Sequence, residues 1–399
     1  MNKSTFFSGQ PIFTQLLKFI PKDTILRIAR QYNADRYCKR FTTYEHLVTI
    51  LYSIFNNCNS LREVATGMLA SENRLSHLGI RYHPRRSTIS DANTRRTEQV
   101  FCEIYNSLFK LYAPFLSDSR KQSKASKLYI IDSTVISLFQ EVLRTSGKIP
   151  VNGKKKGGVK VHALIRSDQD VPEMIRITEA AANDSQFLKE INLPKGSIIV
   201  FDRGYRDFTT MNRFSSEGIT WVTRLNKLFT YTVIQQYQRS TNAAIISDQQ
   251  IQLGWRSGTQ VTARLITYYD EASKEKYEFL TNNHRMSAAN IALLYRKRWQ
   301  IELLFKRMKQ NYPLKYFLGD SENAVKIQVW CVHIADLLLK IVKKGTKAKW
   351  SFSNLAAMIR LHLMTYIDLF AFLNSSEKVL LKMFTKQNNN DSNQLSLIT

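Results

Sequence analysis

The sequence predicts an α/β core with a β-rich insertion, flanked by helical N-terminal and C-terminal regions. Three observations carry this expectation. Apolar residues recur at helical spacing before about residue 120 and again after about residue 287. From Lys127 the pattern becomes β-branched strands separated by short helices. Between about residues 228 and 283 lie short, turn-separated runs of a different texture.

In the N-terminal region the helical spacing runs through Ile12–Ile20, Ile25–Tyr32 and His46–Phe55. Ser60-Leu-Arg-Glu63 and Thr88-Ile-Ser-Asp91 have the capping-box pattern that satisfies the first free N–H groups of a helix. The helix that the second box would open carries Asn93, Thr94, Arg95 and Arg96 in its first turns. Such residues suit a recognition helix in a DNA major groove, against the commoner alternative of a solvated helical face. Arg95 and Arg96 are the candidate DNA contacts of this region.

In the core, Leu128–Leu138, Val159–Ile165 and Met174–Thr178 read as strands, followed by a short helix capped by Asn183 or Asp184 and ending near Ile191. A buried strand at Ser197–Phe201, a helix through Met211–Phe214 and a strand at Ile219–Arg224 come next. The insertion contributes Phe229–Ile234, Ala244–Leu253, Gln260–Tyr269 and Lys276–Thr281. One strong helix is expected from Ser287 to Lys309. The chain then stays helical and apolar to about Met383, and the Asn-, Ser- and Gln-rich tail reads as disordered.

Lys and Arg total 58 against 32 Asp and Glu, a formal net charge of +26. That charge repels itself, and a polyanion such as nucleic acid relieves the repulsion. A membrane surface is the rival, but the N-terminus lacks a signal-peptide pattern. The most apolar window, Asn354 to Leu373, carries Arg360, His362 and Asp368, so it suits a buried helix better than a bilayer span. The cysteines Cys38, Cys58, Cys102 and Cys331 lie far apart, which suits a reducing compartment and gives no zinc site. The expected setting is the cytoplasm, with nucleic acid as partner.

Asp132 interrupts an apolar strand, and Asp202 ends another. A carboxylate there is costly unless something pairs with it. Glu302 is the one acid in a helix that also holds Arg296, Lys297, Arg298, Lys306, Arg307 and Lys309. On a continuous helix, Tyr295, Arg298, Glu302 and Lys309 fall within roughly 60° of each other. Beside this polar stripe lie Leu294, Ile301, Leu304, Phe305 and Met308, an apolar face that should pack. On this helix alone, Glu302 pairing with Arg298 and Lys306 is an equal reading. Together the three acids make an oxygen-ligand set of the kind Mg²⁺ prefers. Two ions about 4 Å apart would clamp an in-line phosphoryl transfer.

These residues resemble bacterial DDE transposases, and more narrowly the insertion-sequence-four group. That group's signature is a Tyr, two residues, an Arg, three residues, a Glu, six residues and a Lys. Here it reads Tyr295, Arg298, Glu302 and Lys309 with the spacing unbroken. Ile130-Ile-Asp-Ser-Thr134, Asp202-Arg-Gly-Tyr205, Gly158-Val-Lys-Val-His162 and Phe279-Leu-Thr-Asn282 are similar to the family's other motifs. The resemblance covers roughly residues 125 to 312. It implies an RNase H-like catalytic core with the β-rich insertion between the second Asp and the Glu. It implies Asp132, Asp202 and Glu302 as catalytic residues and metal ligands, with two Mg²⁺ ions for which Mn²⁺ can substitute. Tyr295, Arg298 and Lys309 would contact DNA backbone near the cut end, and Lys306 is a further candidate on the same helix.

The expected organisation is a helical DNA-binding region over 1–122 and a catalytic domain over 123–312. A helical C-terminal region over 313–385 would assist dimerisation, and a tail over 386–399 would follow. The expected activity is metal-dependent cleavage and strand transfer at the ends of an insertion sequence. The partners are double-stranded DNA (inverted-repeat ends and target) and a second copy on that DNA. A structure-selective nuclease and a non-catalytic DNA-binding regulator are the alternatives. Four further residues carry two readings each. His162 is a strand histidine satisfied by its surroundings, or a partner to an active-site carboxylate or phosphate. Asp184 is a helix cap or a ligand. Arg203 touches phosphate or forms a salt bridge. Trp255, at a turn of the insertion, packs or stacks on an unpaired base. Trp299 is expected to pack against its neighbours. The basic run Lys154-Lys-Lys-Gly-Gly158 reads as a solvated loop.

Overall fold

The computed structural model describes residues 9–117, 128–137, 158–226, 229–237, 242–254 and 258–375. They divide into two compact units, one spanning Ser117–Lys306 and the other combining the residues before it with those from Arg307 onward. The expected tail, Trp255 and residues 154–157 of the basic run lie outside the described residues.

The helical unit begins with α1 (Ile12–Leu17), α2 (Lys22–Gln31), α3 (Thr43–Phe55), α4 (Leu61–Ala70), α5 (Glu72–Leu75), α6 (Arg86–Arg95) and α7 (Glu98–Leu116). Its central helix α3 is buried along almost its whole length. It opens on a full capping box that the sequence reading overlooked. The Thr42 side chain accepts from the Glu45 N–H, and Glu45 Oε2 accepts from the Thr42 N–H at 2.6 Å. At Ser60 the box is half formed. Ser60 Oγ accepts from Glu63 N at 3.2 Å, while the Glu63 carboxylate takes the N–H of Asn59 instead.

The second expected box is a correction. α6 starts at Arg86, just after Pro84-Arg85, so Thr88 lies inside the helix and caps nothing. Asn93 to Arg96 therefore stand at the helix's C-terminal end, where a groove-reading N-terminus is not formed. Arg96 is 1% exposed. It donates to Thr43 Oγ1 at 3.1 Å, to Asp35 Oδ1 at 3.0 Å and to the Phe41 carbonyl, so it is a structural cation and not a DNA contact. Arg95 is exposed.

The second unit is built on one nine-stranded sheet. Its elements are β1 (Leu128–Ser137), β2 (Gly158–Arg166), β3 (Pro172–Glu179), α8 (Ser185–Lys189), β4 (Ile198–Phe201), α9 (Phe208–Ser216) and β5 (Thr220–Arg224). The insertion supplies β6 (Tyr231–Gln236), β7 (Ile245–Gly254), β8 (Gln260–Asp270) and β9 (Glu275–Thr281), followed by α10 (Ala288–Arg296) and α11 (Trp299–Asn311). The strand order is β3-β2-β1-β4-β5-β9-β8-β7-β6. β1 is antiparallel to β2 and parallel to β4, which is parallel to β5. The insertion therefore does not stand apart as a separate layer. β9 pairs antiparallel with β5 and carries the same sheet onward.

Alternation along the strands fills both faces, as a sheet covered on two sides requires. Ile199, Phe201, Trp221 and Leu280 belong to one cluster with Phe187, Leu188 and the α9 residues Met211 and Phe214. Val200, Val222, Ile266 and Phe279 belong to another with Ile291 and Tyr295 of α10. α9 ends at Gly218, whose φ of +72° is the left-handed closure that glycine adopts without a Cβ penalty.

The expected single helix over 287–309 is two, broken at Lys297-Arg298. The unit boundary falls inside α11, between Lys306 and Arg307. The helical unit then continues with α12 (Glu322–Gly345), α13 (Phe352–Leu361) and α14 (Leu369–Asn374). The apolar window 354–373 is thus two short helices, and no helix among the described residues is long and apolar enough to cross a membrane.

Candidate active site

The sheet brings the two aspartates side by side. Ile131 of β1 is the register partner of Phe201 of β4, so Asp132 and Asp202 each stand one residue further along adjacent parallel strands. Alternation turns Asp132 toward the face of Ile130 and Val200, the face on which α10 packs. α10 and α11 meet at this edge. Tyr295, in the last turn of α10, is 8% exposed and its hydroxyl donates to Asp202 Oδ1 at 3.1 Å.

Arg298 lies in the break between the helices. Its Nη1 donates to Asp132 Oδ2 at 2.6 Å, and its Nη2 donates to Glu302 Oε1. The break itself is hydrogen-bonded: Arg298 N donates to Tyr295 O at 2.9 Å, and Ile301 N donates to Arg298 O at 3.2 Å. Glu302 consequently sits in the first turn of α11, where the helix's free N–H groups favour a negative charge. Ser167 Oγ, following β2, reaches Gln300 Oε1 at 3.1 Å and ties that first turn to the sheet.

The electrostatics are those of a site short of positive charge. Burial pushes Asp132 up to about 6 against the pull of the Arg298 guanidinium and the Ser133 N–H, and the Asp202 and Glu302 carboxylates push it the same way as burial. Burial opposes the charge on Arg298, yet Tyr295, Asp132 and Glu302 together raise it above the usual guanidinium range. Burial likewise raises the Tyr295 phenol. One cation is shared by two acids, with a third acid hydrogen-bonded beside them. Among the described residues no three His, Cys, Asp or Glu side chains close around a common point suited to an ion. Arg298 fills the space between Asp132 and Glu302. The donor set, three carboxylates of which two share one guanidinium and the third accepts from the Tyr295 hydroxyl, fits a hard divalent ion in its oxygen chemistry.

The remaining candidates divide. Arg203 and Lys306 are exposed and form no ion pair with described residues. Lys309 is exposed in the last turn of α11, within the helical unit. Trp299 is 60% exposed, which corrects the expectation that it packs. His162 is 1% exposed, and its ring nitrogens meet Tyr205 Oη at 3.2 Å and Thr178 Oγ1 at 3.1 Å. Burial lowers it to about 4. It is a satisfied strand histidine. Asp184 precedes α8 but makes no side-chain cap bond. It pairs instead with Lys160 of β2, at 2.9 Å, a partner 24 residues away that no local pattern in the sequence points to.

Three comparisons bear on this geometry. A family described as "Transposase DDE domain" matches residues 123–338, and a "Domain of unknown function (DUF4372)" matches residues 8–81. A putative transposase, y4zB, of Sinorhizobium fredii is 31% identical over 267 residues, 65% of this chain and 72% of that protein. A probable transposase for insertion sequence element IS5377 of Geobacillus stearothermophilus is 24% identical over 62% of this chain and 67% of its own length. A putative transposase for insertion sequence element IS4SA of Synechocystis is 27% identical over 64% and 71%. The cryo-EM synaptic complex of piggyBac transposase with hairpin DNA overlays with a TM-score of 0.47 at 9% identity, over 91% of this chain and 83% of that one. With a family match over more than half its length, and a relative above 30% identity, the chain belongs to the DDE transposases.

Proposed function

We propose that this transposase cleaves DNA at the ends of an insertion sequence and joins the freed ends to a target, using Asp132, Asp202 and Glu302 as its catalytic and metal-binding residues. The observation that carries the reading is the convergence of Asp132 and Glu302 on one guanidinium beside Asp202, at the edge where β1 and β4 run parallel. The strand order β3-β2-β1-β4-β5, antiparallel then parallel, supports an RNase H-like core beneath it.

Divalent ions, two Mg²⁺ in this reading with Mn²⁺ as substitute, would be held by Asp132, Asp202 and Glu302, and would supply Lewis acidity to the phosphoryl oxygens and a lowered pKa to an attacking water. The three carboxylates would hold that charge from Asp132 within β1, Asp202 one residue past the end of β4, and Glu302 in the first turn of α11. Tyr295 fixes the rotamer of Asp202. Arg298 has donors that match a phosphate as well as a carboxylate, so a DNA backbone competes with Asp132 and Glu302 for the same fork. Lys306, Lys309, Arg203 and Arg95 add exposed positive charge for phosphate contacts. Trp255 remains a candidate for stacking on an unpaired base. The partners are inverted-repeat ends, target DNA and a second copy of the chain, in the cytoplasm on the nucleoid. The helical region over 1–122 binds the ends, and the C-terminal helices assist pairing of protomers.

The test is incubation of the protein with DNA carrying its own flanking ends and Mg²⁺. Wild type cuts and joins at those ends. Asp132→Ala, Asp202→Ala and Glu302→Ala each lose both steps while still binding DNA in EDTA. Normal cutting by any of the three would remove that residue from the site. Cutting without joining would instead favour a nuclease.

A further inference from the structure

On the opposite face of β1 from Asp132 lies a polar cluster that the proposed chemistry does not use. Ser133 is paired in register with His162 of β2, and strand alternation points both away from the catalytic acids. Asp184 Oδ1 accepts from Ser133 Oγ at 3.3 Å and from Lys160 Nζ at 2.9 Å. Lys160 also donates to the Ala182 carbonyl at 2.7 Å, and its side chain is 5% exposed. The other Asp184 oxygen lies under Gly204, where an added Cβ would sit 3.3 Å from it. Gly204 belongs to the turn closed by Tyr205 N on Asp202 O at 3.0 Å.

We propose that Asp184 and Lys160 form a positioning pair that holds the backbone segments of Asp132 and Asp202 at a fixed spacing, and so sets the affinity of the site for divalent metal. The proposal rests on the reading of those two aspartates as metal ligands. Asp202 lies one residue past the end of β4, so the sheet ladder does not hold it. Tyr295 holds the Asp202 side chain, but neighbouring carboxylates repel each other, and the spacing of the turn itself from Asp132 calls for a further restraint. Asp184 accepts a hydrogen bond from Ser133, the residue after Asp132, and its second carboxylate oxygen lies close against Gly204, in the turn that begins at Asp202. Its own charge needs a partner, or it would add to the excess of negative charge in the site. Lys160 supplies that partner from within the sheet, away from the place where a metal or a phosphate would bind. A buried ammonium is in turn retained only if paired. Helix capping does not account for Asp184, since its side chain makes no cap bond to α8.

The experiment follows the rise in melting temperature with added Mg²⁺ in the metal-binding range, for wild type, Asp184→Asn, Lys160→Met, the double variant and Ser133→Ala. DNA binding is measured separately in EDTA. Outer partners that orient metal ligands typically matter about 10–100-fold in metal affinity. Asp184→Asn and Lys160→Met should each shift the Mg²⁺ midpoint by that factor. The double variant should shift it no further than the worse single, and Ser133→Ala should shift it less in the same direction. DNA binding in EDTA should not change, and end cleavage should recover at high Mg²⁺. Wild-type midpoints in the single variants would overturn the proposal. So would loss of all Mg²⁺ response in Asp184→Asn with Lys160→Met unaffected, since Asp184 would then be a ligand itself. Should Lys160→Met not fold, Asp184→Asn and Ser133→Ala decide the matter alone. A wild type with no Mg²⁺ response would instead defeat the metal reading of the site, before any variant is compared.

Discussion

Two arginines of the sheet unit bind aspartate in opposite ways. In the insertion, Arg264 of β8 meets Asp248 of β7 one to one, with Nε and Nη2 donating in parallel at 2.8 and 2.6 Å. Both side chains are 7% exposed, and the remaining nitrogen Nη1 donates to the Asn283 carbonyl at 3.1 Å, in the loop before α10. Arg298 instead divides its fork between Asp132 and Glu302, with side-chain exposures of 15%, 16% and 32%. The first arrangement is balanced, closed and buried, and it holds the insertion against the loop that leads to α10. The second leaves more negative than positive charge at a partly open edge. Balance marks a structural pair, and imbalance marks a place where another cation or a phosphate has something to gain.

That contrast predicts opposite phenotypes. Removing one partner of a buried pair strands the other charge, at a cost of about 3–5 kcal/mol. Asp248→Ala should lower the unfolding free energy by that amount in urea, and a loss below 1 kcal/mol would break the comparison. Arg298→Gln should do the reverse. Asp132 and Glu302 stay 16% and 32% exposed, so water reaches both acids once the guanidinium is gone, and stability should change by no more than about 1 kcal/mol. End cleavage should fall by about 10²–10³, as when a donor to a developing phosphoryl charge is lost. Equal loss of folding and activity in Arg298→Gln would place it with Arg264 as a structural cation.

The site was legible in the sequence where a local pattern carries it. Asp132 inside Tyr129-Ile-Ile and Asp202 after Ile198-Ile-Val-Phe contradict their apolar surroundings, and that contradiction is visible without a structure. The four insertion strands were legible for the same reason, as alternation between turns. Their continuity with the main sheet was not, because strand pairing is a long-range property. The break at Lys297-Arg298 also has no local cause. Neither residue disfavours helix, and no Gly or Pro marks it. Its partner is distant: Arg298 reaches Asp132, 166 residues away in sequence. Arg96 misled for a similar reason. Nothing near it in sequence shows that Asp35, 61 residues earlier, would bury it.

The imbalance at Asp132 sharpens the comparison further through pH. Its folded-state pKa, about 6, lies above the ordinary aspartate value of 3.8. The folded protein therefore binds this proton more tightly than the unfolded chain, and stability falls as pH rises from about 4 through 6. Asp132→Asn removes the titrating group. Without metal it should be more stable than wild type by about 1–3 kcal/mol at pH 8, and no different below pH 4. Thermal unfolding at both pH values in EDTA checks the sign. A destabilised Asp132→Asn at pH 8 would mean that Arg298 fully balances the acids.

Arg203 completes the series as a cation with no acid partner among the described residues. It is exposed beside Asp202. With nothing to hold in the fold, Arg203→Ala should alter stability by less than about 0.5 kcal/mol. Its effect should appear on DNA instead. If the guanidinium meets one phosphate, its loss should reduce the slope of log affinity against log salt by about 1, and weaken binding similarly for every sequence tested. A slope unchanged from wild type would show that Arg203 faces solvent in the bound state. The unpaired cation would then mark an open edge of the site without touching its substrate.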